Sequence, residues 1–166
     1  MTELAACSIR QLSATEGPLV RRLRLAALRE APDQFGETHA AALTRADAAW
    51  HDLAEATHLA EVDGAPIGMV FAFPDPAELA SGRLGGMWVA PTARGAGVGR
   101  ALTEAVKAWA NARGMFRVGL WAVPGSAGER LYRRAGFVPS GAQKPFPGDA
   151  SRVVLELHCA LSPSGL

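Results

Sequence analysis

The chain has 166 residues, 49% of them hydrophobic and 20% charged, which is the composition of a folded globular protein and excludes a disordered one. This length suits one domain over residues 1–166 and is short for two. A formal net charge of +1 gives no indication of a nucleic-acid partner or of an acidic membrane surface.

The N-terminal part of the chain predicts one strand and one helix. Apolar residues alternate over residues 4–10, which predicts a first strand. Ser13 and Glu16 form a capping box, and apolar side chains at helical spacing continue the helix until Pro32 ends it. Four arginines spread around this helix are predicted to form a solvated face rather than a binding patch: Arg21, Arg22, Arg24 and Arg29.

A second helix and a hairpin are predicted next. A loop over residues 33–40 leads to this helix, for which Thr44 and Asp47 predict a second, weaker capping box. Two strands, over residues 59–62 and 66–73, are joined by an Asp-Gly turn of the two-residue hairpin type.

The strand that begins at Leu84 is the centre of the predicted fold. It ends in a short turn over residues 94–99, and an amphipathic helix runs from there to Arg113. The remaining elements are predicted, in order, as a strand over 117–123, a helix over 126–135, and strands over 137–140 and 152–159.

The element order β α α β β β α β α β β predicts an α/β layered fold. The helix between the fourth and fifth strands is long enough for a right-handed crossover, so these two strands should be parallel. The hairpin before them implies antiparallel neighbours. We therefore predict a mixed, twisted sheet of six to seven strands with helices on both faces. The strand over 152–159 is expected at an edge, where it could pair with a second subunit in a homodimer.

The turn Arg94-Gly95-Ala96-Gly97-Val98-Gly99 is the strongest functional signal. A glycine turn between a strand and a helix presents free backbone N–H groups beside the positive end of the helix dipole, which suits a phosphate or pyrophosphate. Its spacing differs from the GxGxxG of dinucleotide folds, and no Lys followed by Ser or Thr comes after it, which excludes a nucleotide-triphosphate loop. A tight turn that needs glycine only for its backbone conformation is the alternative.

Two glycines interrupt the strand before this turn. Gly85 and Gly86 lie in an apolar run, where glycine often marks a β-bulge or a close backbone approach. A bulge here would splay the strand from its parallel neighbour, and the gap would expose backbone groups to an extended ligand that carries amides. The alternative to a bulge is that the loop before this strand ends one residue later than predicted.

Tyr132 lies one turn before the end of the last predicted helix. Its hydroxyl could donate a proton to a leaving group in the gap, which is general-acid catalysis. Taken alone, a tyrosine with only a packing role is the more frequent interpretation.

These features together resemble the GNAT superfamily of acyl-coenzyme-A-dependent N-acyltransferases. The resemblance rests on the strand over 87–91, the turn over 94–99 and the segment over 131–137, and it extends to the preceding hairpin. It covers residues 58–140, whereas the first two helices agree only in layout. It implies a GNAT-like domain whose central parallel strands splay at a bulge, with acetyl-coenzyme A (acetyl-CoA) as co-substrate.

The resemblance also implies roles for individual residues. The turn amides would hold the pyrophosphate, the backbone of the bulged strand would pair with the pantetheine, and Tyr132 would protonate or orient the departing thiolate. The asparagine that many members carry before the last helix is missing, and Ser126 is its candidate substitute. The implied donor-binding residues are Met87, Trp88, Val89, Arg94, Gly95, Ala96, Gly97, Val98, Gly99, Arg100 and Ser126.

The implied reaction is direct transfer of an acetyl group from acetyl-CoA to a primary amine in a ternary complex, without a metal. A non-catalytic coenzyme-A sensor is an alternative, because no general base is evident, and a domain that binds another phosphate ligand is a third. Seven side chains could act as the general base, although for each of them a solvated surface position is the more frequent interpretation: Glu37, His39, His51, His58, Glu61, Asp75 and Glu78.

The surroundings of the site are less well specified. The acceptor pocket is expected between the first two helices, the loop over 33–40 and a late loop over 143–149. Trp121 is predicted to lie in the core rather than on the substrate wall.

The expected location is cytoplasmic. Cys7 and Cys159 have no metal-ligand spacing, which favours a pair of buried thiols in a reducing compartment. There is no predicted signal peptide and no apolar run of the roughly 18 residues that span a bilayer, so a membrane is not an expected partner. A nucleic acid is not expected either, because the net charge is only +1.

Overall fold

A computed structural model of the chain describes residues 6–162. The strands are β1 (Ser8–Gln11), β2 (Thr57–Val62), β3 (Ala65–Pro74), β4 (Ser81–Val89), β5 (Arg117–Ala122), β6 (Val138–Phe146) and β7 (Asp149–Ala160). The helices are α1 (Gly17–Glu30), α2 (His39–Leu43), α3 (Asp47–Glu55), α4 (Val98–Ala112) and α5 (Ala127–Arg134).

The seven strands form one mixed sheet in the order β1-β2-β3-β4-β5-β7-β6. Only β4 and β5 pair in parallel, and the other neighbours are antiparallel. One core packs α1 and α3 against the sheet through Val20, Leu28, Trp50, Leu59 and Phe71. The other packs α4 and α5 against it through Leu102, Val106, Leu120, Phe137 and Leu157. The predicted α/β class, parallel pair and two-sided layering are confirmed.

The first predicted capping box is present and the second is not. The Glu16 carboxylate accepts a hydrogen bond of 2.9 Å from the Ser13 amide, so the chain enters α1 with this amide satisfied. The Thr44 hydroxyl instead donates to the Ala41 carbonyl at the end of α2, a short helix in part of the segment assigned to a loop. Ala46 precedes α3 without a side-chain cap, so the second capping box is wrong.

Several predicted bounds also need correction. Residues 4 and 5 of the first predicted strand lie outside the described residues, and β1 begins at Ser8. The last two strands are longer than predicted, because β6 continues through residues assigned to a loop and β7 starts at Asp149. β7 lies between β5 and β6 rather than at the edge, so a homodimer formed by strand addition would have to use β1 or β6.

Cys7 is exposed and Cys159 is buried, and both are free, so the prediction that both thiols are buried is wrong for Cys7. No helix within residues 6–162 is long and apolar enough to cross a membrane.

Candidate active site

A β-bulge lies in β4 at the predicted position. Met69 pairs with Trp88 and Phe71 with Gly85, so two residues of β4 oppose the single residue between them on β3. Gly86 has a φ of +60°, and a Cβ at this position would lie 2.3 Å from ring carbons of Phe71. Both the backbone conformation and the close ring therefore require glycine here.

The bulge coincides with a gap between the two parallel strands. β4 and β5 pair only over residues 81–83 and 117–119, and beyond that point each continues with its other neighbour. A cavity of about 720 Å³ fills the gap and is lined by both strand ends, the glycine turn and α5. Its volume is within the range of cofactor and ligand pockets.

The glycine turn forms one end of this cavity. Gly95 and Gly97 have φ values of +81° and +89°, and a Cβ at either position would meet none of the described atoms within 4 Å. The space in front of the turn is therefore open, and the first amides of α4 have no partner within the helix. Gly99 has a different role, since a Cβ there would lie 2.9 Å from a Leu131 methyl group where α4 meets α5.

The charge of the cavity wall suits an anionic ligand. Among the described residues that line it, the charged side chains are all arginines, namely Arg94, Arg100 and Arg134. Arginines around a turn of free amides attract phosphate groups. No group of three or more His, Cys, Asp or Glu side chains within residues 6–162 is arranged to hold a metal ion.

The Arg94 side chain fixes the turn to its surroundings. Its guanidinium donates to the Val89 carbonyl at 3.0 Å and to the Glu30 carboxylate at 2.6 Å. The Trp88 indole N–H donates to the same carboxylate at 3.1 Å. Hydrogen bonds from Arg94 and then Trp88 hold the pKa of Glu30 below its usual range. Arg94 thus positions the turn, and Glu30 is a partner that no local sequence pattern indicates.

Tyr132 lies on the α5 wall of the cavity. Its ring is 7% exposed and packs edge-on against Phe137, with centroids 5.9 Å apart. Burial raises the pKa of Tyr132 above that of an ordinary tyrosine, so the phenol keeps its proton at neutral pH. Ser126 also lines the cavity, but its hydroxyl oxygen caps α5 by accepting from the Glu129 amide at 3.1 Å.

The sequence model of the Acetyltransferase (GNAT) family matches residues 22–137, which is more than half of the chain. The chain belongs to this family. A comparison with curated protein sequences gives no match.

Solved structures agree with the GNAT fold. An acetyltransferase of the GNAT family from Streptococcus pneumoniae superposes with a TM-score of 0.76 at 19% identity, covering 95% of this chain and 100% of that one. Ard1 from Thermoplasma volcanium gives 0.73 at 21%, covering 95% and 99%. N-acetylglutamate synthase from Neisseria gonorrhoeae, complexed with coenzyme A and N-acetyl-glutamate, gives 0.70 at 21%, covering 95% of this chain and 36% of that one.

The base candidates of this GNAT chain lie away from the cavity wall. None of the seven is among the described residues that line it. Most are engaged elsewhere: Glu61 with Arg10, Asp75 with the Ala77 amide, Glu78 with Arg117, Glu37 with Arg24 and Arg45, and His51 with the Ala14 carbonyl. His58 is buried, and burial, followed by the charge of Arg113, lowers its pKa.

A second, smaller cavity lies where the acceptor pocket is expected. It has a volume of about 280 Å³ and is lined by residues from α1, the 32–39 segment and the turn between β6 and β7. Phe35 lines both cavities, so the two are neighbours that share one aromatic side chain. Glu37 and His39 are the base candidates that face this second space.

Trp121 lies on the wall of the larger cavity rather than in the core. Trp121 is 36% exposed, so the core assignment is wrong. The Lys144 ammonium lies 4.4 Å and the Arg83 guanidinium 5.7 Å from the ring centroid, which places two cations against the indole. Trp121 therefore lies between the larger cavity and two cations, one from β4 and one from β6.

Proposed function

We propose that the protein is an N-acetyltransferase that transfers an acetyl group from acetyl-CoA to a primary amine in a ternary complex. The observation that carries the proposal is the single cavity that connects an open glycine turn, through the gap at the β4 bulge, to Tyr132. A long donor with a phosphate end and a thioester end matches that arrangement.

The donor would lie along the cavity in a defined direction. Amides of the turn over 95–99 hold the pyrophosphate, with Arg100 and Arg134 beside the phosphates. The backbone of β4 over 87–89, freed from β5 by the splay, pairs with the pantetheine amides. The Ser126 hydroxyl, whose oxygen caps α5, retains its proton as a donor toward the pantetheine.

The chemical step is an acyl transfer between two bound substrates. The amine nitrogen attacks the thioester carbonyl carbon, an amide at the end of β4 near Val89 polarises the carbonyl oxygen, and the carbon–sulfur bond breaks as the tetrahedral intermediate collapses. The Tyr132 hydroxyl donates its proton to the departing sulfur, so that coenzyme A leaves as a thiol, and the proton that the attacking nitrogen loses as the amide forms returns to the Tyr132 phenolate through water.

The acceptor must arrive as a free amine or lose a proton on the way. The described wall of the larger cavity carries no carboxylate or imidazole. Water that enters from the second cavity, where His39 and Glu37 lie, is the proposed route for this proton. The same lack of a base favours the second candidate function, a domain that binds coenzyme A without turnover.

The proposed cytoplasmic location rests on the two free cysteines, since persistent thiols are typical of a reducing compartment.

Acetyl-CoA should raise the melting temperature of the protein, because a ligand that binds only the folded state stabilises it by mass action. Release of free thiol, followed with a thiol reagent over a broad amine panel, then separates the two candidate functions. Thiol release that depends on an amine supports the transferase. Stabilisation without amine-dependent release would support the sensor, and no stabilisation by acetyl-CoA would overturn both.

The Tyr132 assignment also predicts a pH dependence. A general acid works while protonated, and burial moves the pKa of Tyr132 upward from its usual value of about 10. The kcat ratio of wild type to Tyr132→Phe should therefore stay constant from roughly pH 7 to 10. Both enzymes are measured at saturating substrates. A ratio that falls toward 1 within this pH range would contradict the assignment.

A further inference from the structure

Arg24 is a buried arginine behind Phe35, the side chain that lines both cavities. It is 7% exposed, so the prediction of a solvated side chain is wrong for Arg24. Its guanidinium carbon lies 4.7 Å from the ring centroid of Phe35 and 5.5 Å from that of Phe71. The charge is thus held between two aromatic rings, an arrangement that stabilises a cation but supplies no hydrogen-bond acceptor for its N–H groups.

The hydrogen bonds of this guanidinium are incomplete. Its Nε donates to one oxygen of Glu37 at 3.1 Å, whereas Nη1 is inaccessible to solvent and has no partner among the residues that the structure describes. The other oxygen of Glu37 accepts from Arg45. One carboxylate therefore serves two guanidinium groups, and this cluster has a surplus positive charge. Buried charged groups are normally paired, so an unpaired donor in such a cluster calls for an anionic partner.

The location of Arg24 connects this surplus charge to the reaction site. Phe35, which covers the guanidinium on one side, lines both cavities. Phe71, on the other side, lies against Gly86 of the β4 bulge, which opens the gap in which the reaction is proposed to occur. Glu37 is on the wall of the smaller cavity. A molecule that reaches the thioester from the smaller cavity would therefore pass Phe35, the ring that covers Arg24.

The smaller cavity also offers acidic groups for the amine end of an acceptor. Asp33 and Asp149 line it together with Glu37, whereas Arg152 is its one arginine within the described residues. Asp33 and Asp149 favour the entry of an ammonium, which loses its proton before it reaches the thioester, and a carboxylate is favoured at Arg24. The volume of about 280 Å³ suits a molecule of amino-acid size.

We propose that the acceptor is a small amine that also carries a carboxylate, an amino acid in the chemical sense, and that Arg24 binds this carboxylate through its unpaired Nη1 once the Phe35 ring turns aside. This inference rests on the proposed acetyltransferase function and defines its substrate class. Arginine suits the role because its planar guanidinium keeps its charge when buried and matches the geometry of a carboxylate.

The test compares each amino acid of a panel with its carboxamide, which has the same shape and amine but no negative charge. Wild-type kcat/KM should be roughly 10- to 100-fold higher for the acids, the range expected for hydrogen bonds to a charged group. In Arg24→Met the ratio of kcat/KM for an acid to that for its carboxamide should fall to about threefold or less. Arg24→Lys keeps the charge but not the planar guanidinium, so its ratio should be intermediate. Arg21→Met is the matched control, since Arg21 lies exposed on the same helix, and it should retain the full preference.

The outcomes separate this inference from the proposed function. Amines without a carboxylate that react as well as their acidic counterparts in the wild type would overturn the inference and leave the transferase intact. A preference for acids that survives in folded Arg24→Met, as judged by unchanged stabilisation with acetyl-CoA, would likewise overturn it. If Arg24→Met does not fold, the comparison of acids with carboxamides in the wild type and in Arg24→Lys still tests the inference. Absence of thiol release with every member of both sets would instead count against the proposed function.

Discussion

Replacing Tyr132 by phenylalanine is expected to lower kcat by roughly 10- to 1,000-fold, because the departing thiolate loses its proton donor. The ring remains available for its edge-on contact with Phe137, so the fold should be unaffected. The KM for acetyl-CoA should change little, since the lost interaction belongs to the transition state. Steady-state thiol release with the best amine of the panel measures both constants.

The control for this variant is its stability. The melting temperature of Tyr132→Phe, and its increase with acetyl-CoA, should match those of the wild type, which would assign any rate loss to chemistry. An unchanged kcat at saturating substrates would remove Tyr132 from the mechanism and leave it with the packing role alone.

Replacing Gly86 by alanine is expected to damage both stability and donor binding. The new Cβ would need a φ of +60° and would lie 2.3 Å from the ring of Phe71, which is itself buried. Strain of this kind costs about 1–3 kcal/mol of unfolding free energy. Relief of the strain would straighten the bulge and narrow the gap, so we expect acetyl-CoA affinity to fall by at least roughly tenfold, which equals about 1.4 kcal/mol. Denaturant unfolding and calorimetric titration measure the two effects.

Gly85 provides a matched control one residue away. A Cβ at this position would lie 3.6 Å from the nearest Phe73 ring atom, which is an ordinary contact, so Gly85→Ala should keep both the stability and the affinity. Equal losses in the two variants would mean that the bulge conformation is not what prepares the gap for the donor.

The parts of the site that could be predicted are those with local causes. Gly86 interrupts an apolar strand because only glycine accepts both the positive φ and the close ring of Phe71, and this requirement is visible as a residue type. The Gly95–Gly97 turn is visible for the same reason. The Asp63-Gly64 hairpin also has its expected backbone, with both residues at positive φ.

The residues that were not predicted act through partners far away in the chain. Glu30 receives hydrogen bonds from Trp88 and Arg94, which follow it by 58 and 64 positions. Arg24 is buried because Phe71, from a strand that follows three helices, closes over it. Neither contact produces a pattern near the residue itself, so arginines around a helix look alike in the sequence whether they are solvated or buried.

The C-terminal strands show a different cause. Pro139 and Gly141 disfavour a regular strand, yet β6 continues through both because it pairs with β7 with shifts in register. The place of β7 inside the sheet likewise follows from the order in which strands pair, which element lengths and periodicity do not specify.

A crystal structure of the protein with coenzyme A tests the central claim most directly. We expect the pyrophosphate against the amides of the turn over 95–99, the pantetheine along β4 beyond the bulge, and the sulfur within hydrogen-bond reach of the Tyr132 hydroxyl. Coenzyme A bound elsewhere, or with its sulfur directed away from the gap between β4 and β5, would contradict the account.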